Sequence, residues 1–578
     1  MRKTLKRILS AIIQTIGKLI GRVNPLYWLR RGLFILRNFL RRWAELDYVL
    51  FTLSGEIPAL PVERGFIEQR IFGEPAMSLL DLEHHLELIA SDPRPKGVIF
   101  YLRDLQLSLA DLQTLRDSIQ HFRKSGKRVI CYAQDYDLKT YYIASVADEI
   151  ILQPGGVLMT LGLSQQAIFL KDALAQVGVS FDAVAISPYK GAFDQLTRDT
   201  ISSEGREQLE WLLDSRFEIL VNDIATGRQV TPEAVRTMID GAPHLDTTAL
   251  TDRYVDTVLN EEYLGEHLKA EHLVPWKQAE RKLFRRWRKR QHQYVALLEI
   301  NGTIIAGESQ QPPPIPIPVP LPVFGDAMTG DATVVRQVRQ LMQDEDAAAV
   351  ILYVDSPGGS AQASEAMTSA LVELAKTRPL VVYMNGVAAS GGYYVSTPAR
   401  WIVAQPGTIT GSIGVLTGKP ISTGIFEKLH VNRLDFERGA SASIFSDAAP
   451  FTEPQRAVVK AMIERIYGQF VERVAQSRHL TTEQVDAIGG GRVWTGIQAK
   501  ANGLVDELGG LQVALMKART LANLSEDAPL IAFKGDDKPF PPQLAEAANP
   551  AAGLNYVYTA VRKTFNGMAQ VLMPFELK

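Results

Sequence analysis

The stretch "NGVAASGGYYVST" (385–397) sets one hydroxyl, Ser390, among small residues with two glycines directly after it. Thirty residues upstream, an apolar run "AVILYV" leads into "DSPGGS" (355–360), which carries Gly358 and Gly359. Successive glycines after a strand let backbone N–H groups converge on an anion or a polarised carbonyl. A serine whose own following N–H, that of Gly391, points to the same spot has the makings of a nucleophile beside an oxyanion hole. Gly-Gly turns and small-residue serines are common when taken singly. Placed at successive strand ends of one sheet, they point to acyl transfer.

Such a serine needs a base. The chain has nine histidines, and His430 and His479 fall in helical or loop patterns that read as structural. A lysine can replace histidine if it is neutral. At its reference pKa of ~10.4 only roughly one molecule in 2,500 is neutral at pH 7, but burial among apolar groups brings it to ~7–8. "PYKGAF" (188–193) gives Lys190 apolar neighbours and no adjacent acid. Ser412, in "TITGSIG" (408–414), follows the serine segment closely and is a candidate for orienting the amine.

What joins Lys190 to Ser390 is an internal duplication. "YYIASVADEIILQPG" (141–155) resembles "YYVSTPARWIVAQPG" (393–407) at an offset of 252 residues, which also pairs Tyr101 with Tyr353 and Gly162 with Gly414. In this register Ser390 falls opposite Leu138, Gly358 and Gly359 opposite Gln106 and Leu107, and Lys190 opposite Ala442. One copy keeps the serine and glycines, the other the lysine. Complementary loss of this kind is expected if the site lies between the copies.

The elements that must position these residues alternate short apolar, β-branched runs ("VIFYL", "LVVYM", "WIVAQ") with helical stretches such as "ASEAMTSALVELAKT". That pattern implies βαβ units with buried parallel strands, an α/β fold in tandem. The expected organisation is a basic amphipathic segment (1–45), a first copy (46–265), a basic linker (266–291), a second copy (292–515) and a C-terminal extension (516–578). Net charge is −2, with 46% apolar and 22% charged residues. This describes a folded protein and provides no global field for nucleic acid. The single cysteine, Cys131, excludes an internal disulfide framework and a cysteine-based zinc site.

Residues 1–44 hold eleven Lys or Arg and no acid. Their longest uncharged run, "ILSAIIQTIG", is far shorter than the ~20 residues needed to span a bilayer. Leu5, Ile8, Ile12, Ile16 and Leu19, then Leu29, Leu33, Leu36, Leu40 and Trp43, recur at helical spacing, with Arg30, Arg37 and Arg41 mostly turned away. Two basic amphipathic helices fit an interfacial membrane anchor, the alternative being an arm that packs on protein. The basic stretch 276–293 admits a solvated linker helix or a second membrane-surface patch, and no nucleic-acid module surrounds it. The proline-rich 310–325 segment is expected to run as polyproline II and has no counterpart in the first copy.

Together "DSPGGS", "GVAASGGYYVSTPA", "GTITGSIGV", "YKGAF" and "GRVWTGIQAKANGLVDELGG" resemble the signal peptide peptidase A (protease IV) family in its long tandem form. The resemblance covers about 46–515. It implies a ClpP/crotonase-type fold and a membrane-associated serine endopeptidase with a Ser–Lys dyad and neither metal nor cofactor. Ser390 would be the nucleophile and Lys190 the base. It further implies a homo-oligomer, typically a tetramer, acting on hydrophobic peptides, namely remnant signal peptides. The N-terminal segment departs from the family's usual transmembrane helix, being interrupted by Lys18, Arg22, Arg30, Arg31 and Arg37. Two rival readings are a non-catalytic membrane scaffold of the same fold and a crotonase-type acyl-CoA enzyme.

Overall fold

The computed structural model describes residues 25–62, 69–70, 73–287, 291–310, 327–535 and 570–572. The first amphipathic stretch (5–19) and nearly all of the proline-rich segment lie outside them. Strands and helices alternate along the chain as an α/β protein. One sheet has six parallel strands in the order Leu273–Pro275, Tyr48–Gly55, Gly97–Leu105, Arg128–Ala133, Glu149–Leu152, Thr257–Val258. The second is built around Tyr294–Asn301, Ala347–Ser356, Leu380–Ala389 and Trp401–Ala404, paired in parallel in that order. Central strands are buried on both faces, Val98, Ile99 and Phe100 in one sheet and Val350, Ile351 and Leu352 in the other. That is why they read as continuous apolar runs.

The duplication is visible element by element. Glu149–Leu152 and Trp401–Ala404, and Lys171–Gln176 and Thr423–Lys428, stand at the 252-residue offset. The two long helices Ser203–Arg228 and Glu453–Arg478 are both 26 residues. Ser202 and Thr452 accept hydrogen bonds at their N-termini, and Gln229 and His479 end them in the left-handed conformation. His479 is therefore a helix terminator. His430, with φ 54°, directly follows Leu429 at the end of the Thr423–Lys428 helix.

A third sheet joins the copies. Ser180–Ala185, from the first, runs antiparallel to Leu416–Ile421, from the second, over six residue pairs from Leu416↔Ala185 to Ile421↔Ser180. On the far side of Leu416–Ile421 this sheet continues through Gln570–Leu572 to Gly358–Ser360 and Thr303–Ile305. Within the stretch 266–291, Leu273–Pro275 pairs in the first sheet, and Trp276 stacks on Phe51 with ring centroids 5.4 Å apart. Beyond position 515, Leu530–Ala532 adds a parallel strand beside Tyr294–Asn301.

The N-terminal helix Pro25–Arg41 is held by Phe34 edge-on to Trp287 and by two hydrogen bonds between the Asn38 amide and the Arg285 backbone. Leu33, Ile35, Leu36, Phe39 and Leu40 are each more than half exposed, as is Trp43 just beyond it. Among the described residues no helix is long and apolar enough to cross a membrane.

Candidate active site

Ser390 ends the Leu380–Ala389 strand and caps the short helix Gly391–Ser396. The turn is sharp: Ser390 has φ 58°, a region non-glycine residues rarely occupy, and its N–H donates to the Gly411 carbonyl at 2.8 Å. Strain at one residue, fixed by a strand on one side and a helix on the other, presents the hydroxyl at the C-terminal end of a central strand. Gly391 stands at the first position of that helix, where a backbone N–H has no intrahelical acceptor. A Cβ there would lie 2.7 Å from Ser364 Oγ, 3.1 Å from Gly358 Cα and 3.3 Å from Gly359 N. The two glycine segments expected to frame an oxyanion are thus in contact. Gly358 and Gly359 have φ of 104° and 152°. The Gly358 N–H donates to Ser356 Oγ at 3.2 Å, and that hydroxyl donates to the Gly302 carbonyl at 2.6 Å.

Lys190 arrives from the other copy. The cross-copy strand pair ends at Ala185, Ile186 N–H donates to the Val415 carbonyl at 3.0 Å, and a turn with Lys190 N–H on Ser187 O delivers the side chain. Lys190 Nζ lies 2.6 Å from Ser390 Oγ, 2.9 Å from Ser412 Oγ and 2.9 Å from the Ser412 carbonyl. Lys190 is 1% exposed, and Ser390 and Ser412 are fully buried. Burial pushes the Lys190 amine well below its ordinary value. A neutral amine has two N–H donors and one lone pair. Two acceptors on Ser412 and one hydroxyl on Ser390 match that set, leaving the lone pair for the Ser390 proton.

All six residues singled out in the sequence, Ser390, Lys190, Gly391, Gly358, Gly359 and Ser412, converge here. Two features escaped sequence reasoning. One is the backbone at Gly491, which packs against Lys190; Gly491 and Arg492 open the motif "GRVWTGIQAKANGLVDELGG", but nothing local in it ties them to the lysine. The other is Asn385, whose Nδ2 donates to both Asp111 and Asp355 at 3.0 Å, tying the first copy to the strand that leads into Gly358. Among the described residues no group of three or more His, Cys, Asp or Glu is gathered to hold a metal ion.

Comparison with known proteins identifies two matches to the model of peptidase family S49, at residues 121–274 and 372–525, one in each copy. A protein named Protease 4 from Haemophilus influenzae is 31% identical over 476 residues, covering 78% of this chain and 74% of that one. Protease 4 from Salmonella typhi is 30% identical over 515 residues, with 83% and 79% covered. A chloroplastic serine protease SPPA from Arabidopsis thaliana is 29% identical over 461 residues, with 78% and 66% covered.

Proposed function

This chain belongs to peptidase family S49 and is a serine protease, and on that premise we propose that Ser390 is its nucleophile and Lys190 its general base. The observation that carries the reading is the 2.6 Å approach of a buried lysine to a buried serine, with burial holding the amine far below its usual pKa. Neutral Lys190 takes the Ser390 proton as Oγ attacks the peptide carbonyl. The N–H of Gly391 and an N–H of the Gly358–Gly359 loop receive the developing oxyanion. The ammonium of Lys190 then protonates the leaving amine; in deacylation neutral Lys190 deprotonates the attacking water and returns that proton to Ser390 Oγ as the Oγ–acyl bond breaks and the acid leaves. Ser412 fixes the amine's rotation through both transfers.

The substrate is an extended hydrophobic peptide, a remnant signal peptide being the kind the family resemblance implies. Support for the extended form comes from Gln570–Leu572, which pairs antiparallel with Gly358–Ser360 on one side and with Leu416 on the other. The gap between these two edges accepts a strand by main-chain hydrogen bonding. Association with a membrane surface is supported by the exposed Leu33, Ile35, Leu36, Phe39 and Leu40 of the Pro25–Arg41 helix. A homo-oligomer, tetrameric by resemblance, fits the exposed side chains of Leu434 and Phe436, 81% and 90% accessible among charged neighbours.

The test is hydrolysis of a fluorogenic, leucine-rich peptide by wild type, Ser390→Ala and Lys190→Ala. Loss of cleavage in both variants, with folding retained, supports the dyad. Full activity of Lys190→Ala would place the base elsewhere, and a folded wild type that never cleaves would favour the scaffold.

A further inference from the structure

The backbone at Gly491 and Arg492 borders the start of the Lys190 stem and binds the segment that holds its amine. Gly491 N–H donates to the Ile413 carbonyl at 2.7 Å, and the Arg492 carbonyl accepts from Ser412 N–H at 2.6 Å. Ser187 Oγ, three residues before Lys190, donates to the Gly490 carbonyl. At Gly491, with φ +94°, a Cβ would fall 2.6 Å from Lys190 Cβ, 2.7 Å from its Cα and 2.8 Å from its N. At Gly414 a Cβ would fall 2.7 Å from Gly491 N and 3.2 Å from Lys190 Cδ. The lysine stem is therefore threaded between two bare backbones, and the segment that grips the stem also holds Ser412, which supplies both acceptors for Nζ.

An aromatic stack drawn from both copies closes the same loop. The Arg492 guanidinium lies 4.0 Å over the ring of Tyr189, the residue before Lys190. Tyr189 stacks on Trp211, and Trp211 lies nearly parallel to Trp494 with centroids 5.0 Å apart. The indoles are pinned in turn, Trp211 Nε1 to the Val493 carbonyl and Trp494 Nε1 to the Ile488 carbonyl, both at 2.9 Å. Because Tyr189 and Trp211 come from one copy and Arg492 and Trp494 from the other, the stack fixes where one copy's lysine stands in the other's site.

We infer that Gly491 and Arg492 are positioning residues for the general base, setting the reach of Lys190 to Ser390 and keeping water from its amine. The inference rests on the reading of Lys190 as that base. Neither residue belongs to the Gly358–Ser360 or Leu416–Ile421 strands that would flank a peptide, so their loss acts on kcat and not on KM. Displacing a catalytic group by about 1 Å costs on the order of 100-fold in rate. Admitting water relieves the burial that depresses the amine's pKa, so the rising limb of the pH–rate profile moves upward toward the ordinary lysine range.

The test uses the full chain and a fluorogenic leucine-rich peptide, with kcat and KM measured across pH for wild type, Gly491→Ala, Arg492→Leu, Arg492→Lys and Lys190→Ala. Gly491→Ala should lose roughly 100-fold in kcat with KM little changed. Arg492→Leu should lower kcat and shift the limb upward. Arg492→Lys, which keeps a cation over Tyr189, should restore part of both. If Gly491→Ala does not fold, Arg492→Leu decides, since Arg492 is only partly buried. An Arg492→Leu enzyme with the wild-type pH profile, or a loss confined to KM, overturns the inference. An active Lys190→Ala enzyme overturns the reading of the base itself, and so the two failures are told apart.

Discussion

Replacing Ser412 with alanine removes one of the two acceptors on Lys190 Nζ and leaves the other, the Ser412 carbonyl, in place. Ser412 has φ 51°, which costs alanine about as much as serine, and its N–H keeps its bond to the Arg492 carbonyl. At Lys190 the perturbation is therefore the loss of one hydrogen bond to its amine. A bond of this kind contributes about 0.5–1.5 kcal/mol net, and stranding the donor in a dry site costs about 1–3 kcal/mol. Lys190 is 1% exposed, so the freed N–H cannot turn to water and the larger range applies. At about 1.4 kcal/mol per decade, kcat/KM should fall roughly 5- to 150-fold.

The pH dependence carries a sign. Both Ser412 acceptors favour the ammonium over the neutral amine, whereas burial opposes the ammonium and holds the pKa well below the ordinary 10.5. Losing one acceptor leaves burial less opposed, so the pKa falls further. Because the proposed base acts in its neutral form, the rising limb of kcat/KM should move to lower pH, by up to about one unit for each 1.4 kcal/mol lost. Hydrolysis of a fluorogenic peptide from about pH 5 to about pH 10 reads both quantities. A Ser412→Ala enzyme with wild-type rate and an unmoved limb refutes the reasoning, as does a limb that moves upward.

Gly391→Ala should be nearly inactive, since its Cβ would stand 2.7 Å from Ser364 Oγ and 3.1 Å from Gly358 Cα. The clash displaces the N–H proposed to receive the oxyanion, and loss of such a donor's contact costs up to about 3–4 kcal/mol, so single-turnover kinetics should show slow acylation. Asp355, deprived of water and facing Asp111, has its carboxyl pushed up to about 6. A carboxyl raised in the native state favours folding below the unfolded value of ~3.9 and loses that contribution as pH rises through about 6. Asp355→Asn should therefore gain stability relative to wild type over that window, by at most about 3 kcal/mol in denaturant titrations. An unchanged difference from pH 4 to pH 7 would count against it. Replacing Leu36 and Leu40 with glutamate should reduce sedimentation with anionic vesicles several-fold and leave hydrolysis of a soluble peptide intact. Equal binding by wild type and variant would remove the helix from any membrane role.

The α/β class and the tandem duplication were legible in the chain because both are local signals. Apolar runs mark strands buried on both faces, and a near-constant offset marks the second copy. Ser390 and its glycines were legible for the same reason, since a strand, a sharp turn and a helix follow one another within a few residues. Lys190 was reached only indirectly, through what each copy lacks at the other's position. Its meeting with Ser390 depends on the antiparallel pairing of Ser180–Ala185 with Leu416–Ile421, segments more than 200 residues apart whose register no local period encodes. The tertiary structure alone decided how Lys190 is held. Gly491 matters because a backbone passes within van der Waals contact of the lysine stem, and Asn385 because carboxylates from two copies converge on its amide. Periodicity records which face of an element is buried. What it is buried against, and at what distance, is set only when separate elements pack together.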